Sequence, residues 1–416
     1  MEDESAVREG QTRRDCVKYG GAVIAGGLLA GCTGGSGSGT GANGSTGSDS
    51  SNTTTSGGET AGSSDSESEN ATSGGGESSY SVTMAPMGDV AFESVPERWA
   101  CYKEGYGEMG IALGMGDGLA GIDRPSEGLA VLKELYYDEL PGFSLDTDSM
   151  ANIRANGESI DKEIFYEVDA DLHLMDPNLP AIYFDWKEGD VEEIGENVAP
   201  FFGNFIRRKR DESWGEPYEF YTLYEAFEKV AKVFKREERY EAFAALHEEF
   251  RKKVRSRLPP ERERPKIGLL NGGSDPSKGK FYAIDPTAKG YEMKHYRDVG
   301  VRNAFAGVDT GENGMIDYET LLEVDPKQIF IHWGVLNSDE EFRNQYFEPM
   351  KQDSVGQQLT AVQNDRVFKG GTGEQGPITN LFQTELLAQQ QYSEAFPTDE
   401  KLFDRQRVAD IVKGNQ

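Results

Sequence analysis

From Tyr80 onward, short apolar runs alternate with longer amphipathic stretches. Ser81–Met87, Leu172–Met175, Lys266–Asn271, Gln328–Trp333 and Arg366–Lys369 have the length and content of strands. Their alternation with helical stretches predicts α/β layers. A helical region is expected from about Tyr218 to Leu258. In its second part Tyr240, Phe243, His247, Phe250 and Val254 recur at intervals of 3, 4, 3 and 4, which lines them along one helix face. Pro259 and Pro260 then stop it.

The same pattern occurs twice. Residues 161–169 read Asp-Lys-Glu-Ile-Phe-Tyr-Glu-Val-Asp and residues 317–325 read Asp-Tyr-Glu-Thr-Leu-Leu-Glu-Val-Asp. Five of nine positions are identical at a constant offset of 156, namely Asp161/Asp317, Glu163/Glu319, Glu167/Glu323, Val168/Val324 and Asp169/Asp325. Each copy leads into an apolar run, so a short helix feeding a strand is expected both times. Two lobes of one topology follow as the economical inference.

Ahead of Tyr80 the pattern is lost. Residues 33–79 are Gly, Ser or Thr at 35 of 47 positions, a composition that buries nothing and behaves as a flexible tether. Asn43, Asn52 and Asn70 each open an N-x-Ser/Thr sequon, so glycosylation there is an open alternative. Further upstream, Arg13 and Arg14 precede an apolar stretch from Tyr19 to Ala30 that is too short to span a bilayer but suits a signal peptide. The twin arginines resemble a twin-arginine export signal, although Cys16 stands where that signal usually has Phe. Leu29-Ala30-Gly31-Cys32 resembles a lipoprotein cleavage box, with Cys32 as the lipidated first residue of the mature chain. The expected organisation is therefore a leader at 1–31, a tether at 32–79, an N-terminal α/β lobe at 80–217, an interlobe helical region at 218–260 and a C-terminal lobe at 261–416.

Charge narrows the partners. With 73 acidic and 43 basic residues the formal net charge is −30, of which −23 falls on residues 80–416. Nucleic acid is excluded, since binding it requires a basic footprint. Self-repulsion on this scale is relieved when molar salt shortens the Debye length to about 3 Å, so a halophilic source is expected. Of three cysteines, Cys16 leaves with the leader and Cys32 carries lipid. Cys101 then has no partner and reads as a small core residue.

Catalytic motifs are weak. Gly116-Asp117-Gly118-Leu119-Ala120-Gly121 fits G-x-G-x-x-G, but with a helix before it and a strand after it the segment reads as a turn rather than a dinucleotide fingerprint. His247-Glu248-Glu249-Phe250-Arg251 places Arg where a zinc helix needs its second His. Gly273 to Lys280 has one residue too many for a phosphate loop. No enzyme activity and no metal or other cofactor is expected.

The body resembles the substrate-binding proteins of ABC importers that capture ferric siderophores, cobalamin and haem. Val95-Pro96-Glu97-Arg98, Gly110-Ile111-Ala112-Leu113-Gly114, Gly116-Asp117 and Leu119-Ala120-Gly121 are similar to that family's opening strand, helix and turn. Tyr296 to Phe305 resembles its second-lobe helix ending in Gly-x-x-Asn-x-Phe, and Ala361 to Phe368 its Ala-Val-x-x-x-Arg-Val-Tyr run. The resemblance implies an α/β fold of two similar lobes joined by a long interlobe helix, with the ligand cleft between them, as in type III periplasmic binding proteins. It implies Glu163 and Glu319 as one docking carboxylate per lobe for arginines of an ABC permease, which works with ATPase subunits. With the acidity it points to a haloarchaeal source. The expected protein is a monomer, lipid-anchored on the extracellular face of the cytoplasmic membrane, that binds a ferric-siderophore-type chelate or a corrinoid. A two-lobe extracellular sensor domain or enzyme without a transport role is the alternative.

Ligands gather beyond the carboxyl ends of strands in α/β sheets. On that basis Tyr102 and Tyr106 after the opening strand, Asp176 after Met175, Tyr282 in the second lobe, and His332 with Trp333 are candidate ligand-binding residues. Aromatic rings suit a flat chelate or corrin, and Tyr oxygens or His suit ferric iron. Arg207-Arg208-Lys209-Arg210 is the one dense basic run of the body. It reads first as a solvated loop and second as an attractor of an anionic chelate.

Overall fold

Two separate four-stranded sheets, every pairing in them parallel, form the framework. The computed structural model describes residues 79–154, 159–187 and 189–415. The leader with Arg13 and Arg14, the lipidation residue Cys32, the sequons at Asn43, Asn52 and Asn70, and the tether up to residue 78 lie outside them.

The described chain opens with an antiparallel hairpin of β1 (Tyr80–Met84) and β2 (Gly88–Phe92). The first parallel sheet has the order β5 (Ala151–Asn152), β4 (Leu119–Ile122), β3 (Trp99–Cys101), β6 (Leu172–Leu174). The second has the order β12 (Val367–Lys369), β11 (Ile329–His332), β7 (Lys266–Asn271), β9 (Arg302–Asn303). A small antiparallel pair of β8 (Phe281–Tyr282) and β10 (Met315–Ile316) flanks it. Strands β3, β4, β6 and β11 are buried at every residue. That burial is why they read as continuous apolar runs rather than as alternating ones.

The expected interlobe helix is two helices. Thr222 and Glu225 form a reciprocal capping box that starts α3 (Leu223–Val233). Lys235 adopts a left-handed φ of 49°, which breaks the helix before α4 (Glu237–Arg257) begins. On α4 the predicted stripe holds: Phe243, His247, Phe250 and Val254 are buried and Tyr240 is half-buried.

The internal repeat is structural. Helix α2 (Glu163–Val168) ends at Asp169, which takes a left-handed φ of 47° and leads into β6. Helix α6 (Tyr318–Val324) ends at Asp325, with φ 39°, and leads into β11. Asp tolerates this conformation better than most residues, which gives the matching Asp169/Asp325 position a backbone reason. The copies differ at their starts. Asp317 caps α6 by accepting from the Thr320 amide, whereas Lys162 stands at the N-cap of α2 without a side-chain cap.

Helices bind the two sheets together. Helix α1 (Glu104–Ala112) follows β3 and is buried at every residue. The C-terminal helix α7 (Pro377–Gln391) packs on α1, on α4 and on α5 (Lys294–Val299). The last helix, α8 (Arg405–Lys413), packs on α4 and α1. Glu108 of α1 supplies the cap of α7. Its carboxylate accepts from the amides of Ile378 (2.5 Å) and Thr379 (2.7 Å), from the Tyr137 hydroxyl (2.6 Å) and from the Thr379 hydroxyl. One apolar core accordingly contains Trp99 and Leu174 from the first sheet, Phe243 from α4, and Ile267 and Phe330 from the second. Among the described residues no helix is long and apolar enough to cross a membrane.

Candidate functional site

The carboxyl ends of both sheets carry the charged and aromatic side chains that the apolar strands exclude. After β3 come Tyr102 and Lys103, after β4 Asp123, after β5 Arg154, and after β11 Trp333. The Tyr102 hydroxyl accepts from Arg154 Nη2 at 3.0 Å, and its ring meets Phe184 edge-on at 5.3 Å. The Arg154 guanidinium lies 4.9 Å from the Phe184 ring centroid. Fully buried Asp123 receives Arg154 at 3.0 Å and Lys103 at 2.9 Å.

The second sheet presents a matching cluster. Arg207 pairs with Glu374 at 2.8 Å and with Glu292 at 3.2 Å, and its guanidinium sits 5.4 Å from the Trp333 ring centroid. Arg208 reaches the other oxygen of Glu292 at 3.2 Å. His332 Nε2 stands 3.4 Å from Glu292. The Tyr291 hydroxyl donates to Glu374 at 2.8 Å, and Gln375 donates to the backbone carbonyls of Tyr291 (2.6 Å) and Glu292 (3.1 Å). Gly373 is required here, because a Cβ would lie 2.5 Å from Glu292 Oε1 and 2.8 Å from the Trp333 ring. Trp333 itself takes φ 72°, a conformation costly for a bulky residue and frequent at functional sites.

The two clusters adjoin. A Cβ on Gly105, at the start of α1, would lie 2.6 Å from the Tyr291 hydroxyl. Burial pushes the Glu104 carboxyl up to about 7; Lys103 opposes that shift and Glu374, from the second cluster, adds to it. Burial would raise Glu292 as well, but Arg207 and Arg208 outweigh it and hold that carboxyl well below the usual range. For His332 burial prevails over the attraction of Glu292 and lowers the pKa, so its imidazole is neutral near pH 7.

Of the residues expected from the sequence, Tyr102, His332 and Trp333 lie in this region. Tyr106 points elsewhere: its hydroxyl accepts from the Asn204 amide (2.8 Å) and donates to the Asn204 carbonyl (3.0 Å), a buried brace between chain segments. Asp176 also serves the scaffold, since Oδ2 accepts from the Phe205 amide (2.8 Å) and the Tyr218 hydroxyl (2.5 Å) and Oδ1 from the Asn178 amide (2.9 Å). Tyr282 is half-buried in β8, opposite Met315. Glu163 and Glu319 are exposed in the first turns of α2 and α6. Cys101 is fully buried, as a core cysteine should be, and burial raises its thiol pKa.

Sequence reasoning undervalued Arg207, which is half-buried and doubly paired rather than solvated, and passed over Lys103, Asp123, Arg154, Glu292 and Glu374. Arg154 and Lys103 were accessible by the strand-end rule that found Tyr102. Glu374 lies in Gly-Gly-Thr-Gly-Glu-Gln-Gly directly after β12, a glycine-rich loop at a strand's carboxyl end. A surface cavity of about 640 Å³ elsewhere, between β1 and α3, is lined by Tyr80, Thr83 and lysines 229, 232 and 235 and holds none of these residues.

Two parallel sheets whose carboxyl ends meet at one polar, aromatic region give the chain the fold of type III periplasmic binding proteins. Residues 207–372 match the model of the periplasmic binding protein family. Solved structures agree on the fold. A petrobactin-binding protein from Bacillus subtilis superposes with a TM-score of 0.54 at 15% identity, covering 76% of this chain and 99% of its own. A periplasmic binding protein from Veillonella parvula gives 0.52 at 17% identity, covering 76% and 98%. The substrate-binding protein of an iron-uptake ABC transporter from Streptococcus pneumoniae gives 0.50 at 14%, covering 73% and 96%. No curated protein sequence matches the chain.

Proposed function

We propose that the protein is the substrate-binding component of an ABC importer and captures a metal chelate, of the ferric-siderophore or corrinoid type, for delivery to a membrane permease. The observation that carries this reading is the junction of the two sheets' carboxyl ends. There Tyr102 with Arg154 faces the same region as Arg207 with Trp333. Guanidinium and phenol groups recognise the oxygens at the rim of a chelate, and aromatic faces cover its flat organic surface. The solved neighbours named for petrobactin and for iron uptake support the choice of cargo.

On this reading Cys32 carries the lipid, the twin arginines direct export, and the Gly/Ser/Thr-rich segment links membrane and body. Glu163 and Glu319 dock on the permease. A helix that feeds a parallel strand starts at the sheet's carboxyl edge, so both carboxylates stand on the ligand side of their sheets.

The test is a thermal-shift screen of the protein in molar KCl against ferric siderophores, ferric citrate, cobalamin, cobinamide, haem and molybdate. A ligand at 100 times its Kd adds about 2.7 kcal/mol of stability. A saturable shift with one metal-chelate class is the expected result. A cooperative melt that none of these ligands moves would refute the cargo assignment.

A further inference from the structure

We propose that the site selects chelates of zero or low net charge, and that Asp123, Glu292 and Glu374 impose this selection. The inference rests on the chelate-binding reading above and narrows it.

Each cation of the site already has a carboxylate. Asp123 is shared by Lys103 and Arg154, Glu292 by Arg207 and Arg208, and Glu374 lies 2.8 Å from Arg207. These carboxylates are built in rather than draped over the surface. Asp123 is fully buried, and the Glu292 and Glu374 side chains keep 10% and 5% of their exposure. Glu292 fills the space that a side chain at residue 373 would need, and the Tyr291 hydroxyl fixes Glu374. A trianion entering here has to displace buried carboxylates from their partners or lie against them, and like charges across an interface cost several orders of magnitude in binding.

Besides the Glu104 Oε2 acceptor, the site retains hydrogen-bond donors. Arg154 Nε, Arg207 Nε and Trp333 Nε1 are buried and have no hydrogen-bond partner among the described residues. Donors whose charge is already balanced recognise uncharged acceptor oxygens, such as the hydroxamate and carbonyl oxygens around a neutral ferric chelate or the amides around a corrin. A trianionic ferric tris-catecholate offers the same oxygens with uncompensated charge.

The experiment compares three probes at one fixed KCl concentration by titration calorimetry: a neutral ferric tris-hydroxamate, cyanocobalamin and a trianionic ferric tris-catecholate. The wild-type protein is expected to bind one of the uncharged probes about a hundredfold or more tighter than the trianion. The E292Q/E374Q variant, checked for a cooperative melt, is expected to raise the ratio of trianion affinity to uncharged-probe affinity about tenfold or more. Tighter wild-type binding of the trianion overturns the proposal while leaving the chelate-receptor reading intact. So does a variant that shifts all probes alike. Binding of none of the three overturns the chelate-receptor reading and this proposal with it.

Discussion

Replacing Arg207 by Met removes the cation from two carboxylates that are 8% and 4% exposed, Glu292 and Glu374. The methionine fills part of the volume but supplies no donor. Breaking a buried ion pair by deleting one partner costs about 3–5 kcal/mol, because the remaining charge is left uncompensated. Loss of the cation–π contact with Trp333, 5.4 Å from the guanidinium, adds about 0.5–2 kcal/mol. At about 2–4 °C per kcal/mol for a large domain, R207M is expected to melt roughly 7–28 °C below wild type at pH 7. The pH dependence identifies the cause. In the wild type Glu292 is held low by Arg207 and Arg208 against the effect of burial. A carboxyl depressed in this way stabilises above its unfolded pKa and loses that contribution as pH falls through its folded value. Without Arg207 burial takes over, the carboxyl pKa rises, and protonation relieves the stranded charge. The deficit of R207M should therefore shrink between pH 7 and pH 4, and R207M/E292Q/E374Q should recover more than half of it at pH 7. The assay is thermal unfolding followed by circular dichroism across that range. A deficit below about 1 kcal/mol at pH 7, or one that grows toward acid, would refute the reasoning.

Three further outcomes are expected. Glu104, raised to about 7, stabilises the fold below its unfolded pKa and loses that contribution as pH rises through 7. Wild type should thus lose on the order of 3 kcal/mol between pH 4.5 and pH 8 from this group, and E104Q should flatten the profile; a parallel loss in both proteins sinks the assignment. Glu163→Arg with Glu319→Arg should abolish uptake in cells while leaving chelate binding by the purified protein unchanged. Undiminished uptake would remove the docking role. Because the net charge is −30, the melting temperature should climb steadily from 0.1 M to 2 M KCl and level off as screening saturates; a flat response would count against a high-salt surface.

The strands were legible because a buried parallel strand needs an unbroken apolar run, and Lys266–Asn271 matches β7 residue for residue. The repeat was legible for the same kind of reason: its matched Asp169 and Asp325 occupy the same left-handed corner. The break at Lys235 was not, since a lysine in that conformation gives no sequence signal comparable to glycine. The site was legible only as far as strand ends locate it. Arg207 takes its partner Glu292 from 85 residues away, and nothing near either residue records the pairing. Tyr106 and Asp176 sit near strand ends as expected, but their polar atoms are consumed by backbone groups and, for Asp176, the Tyr218 hydroxyl, which only the folded chain brings to them.

Glu108 lies one helical turn after Glu104, so a single rigid turn of α1 connects the ligand region to the start of α7. With a rise of about 1.5 Å per residue, the two carboxyls are separated along the axis by only about 6 Å. The helix is expected to act as a short lever whose far end is seated on the Ile378 and Thr379 amides, so that these amides report any pivoting of the halves about it. Their hydrogen exchange should slow when cargo binds, and identical exchange in free and loaded protein would show the pivot to be mechanically silent.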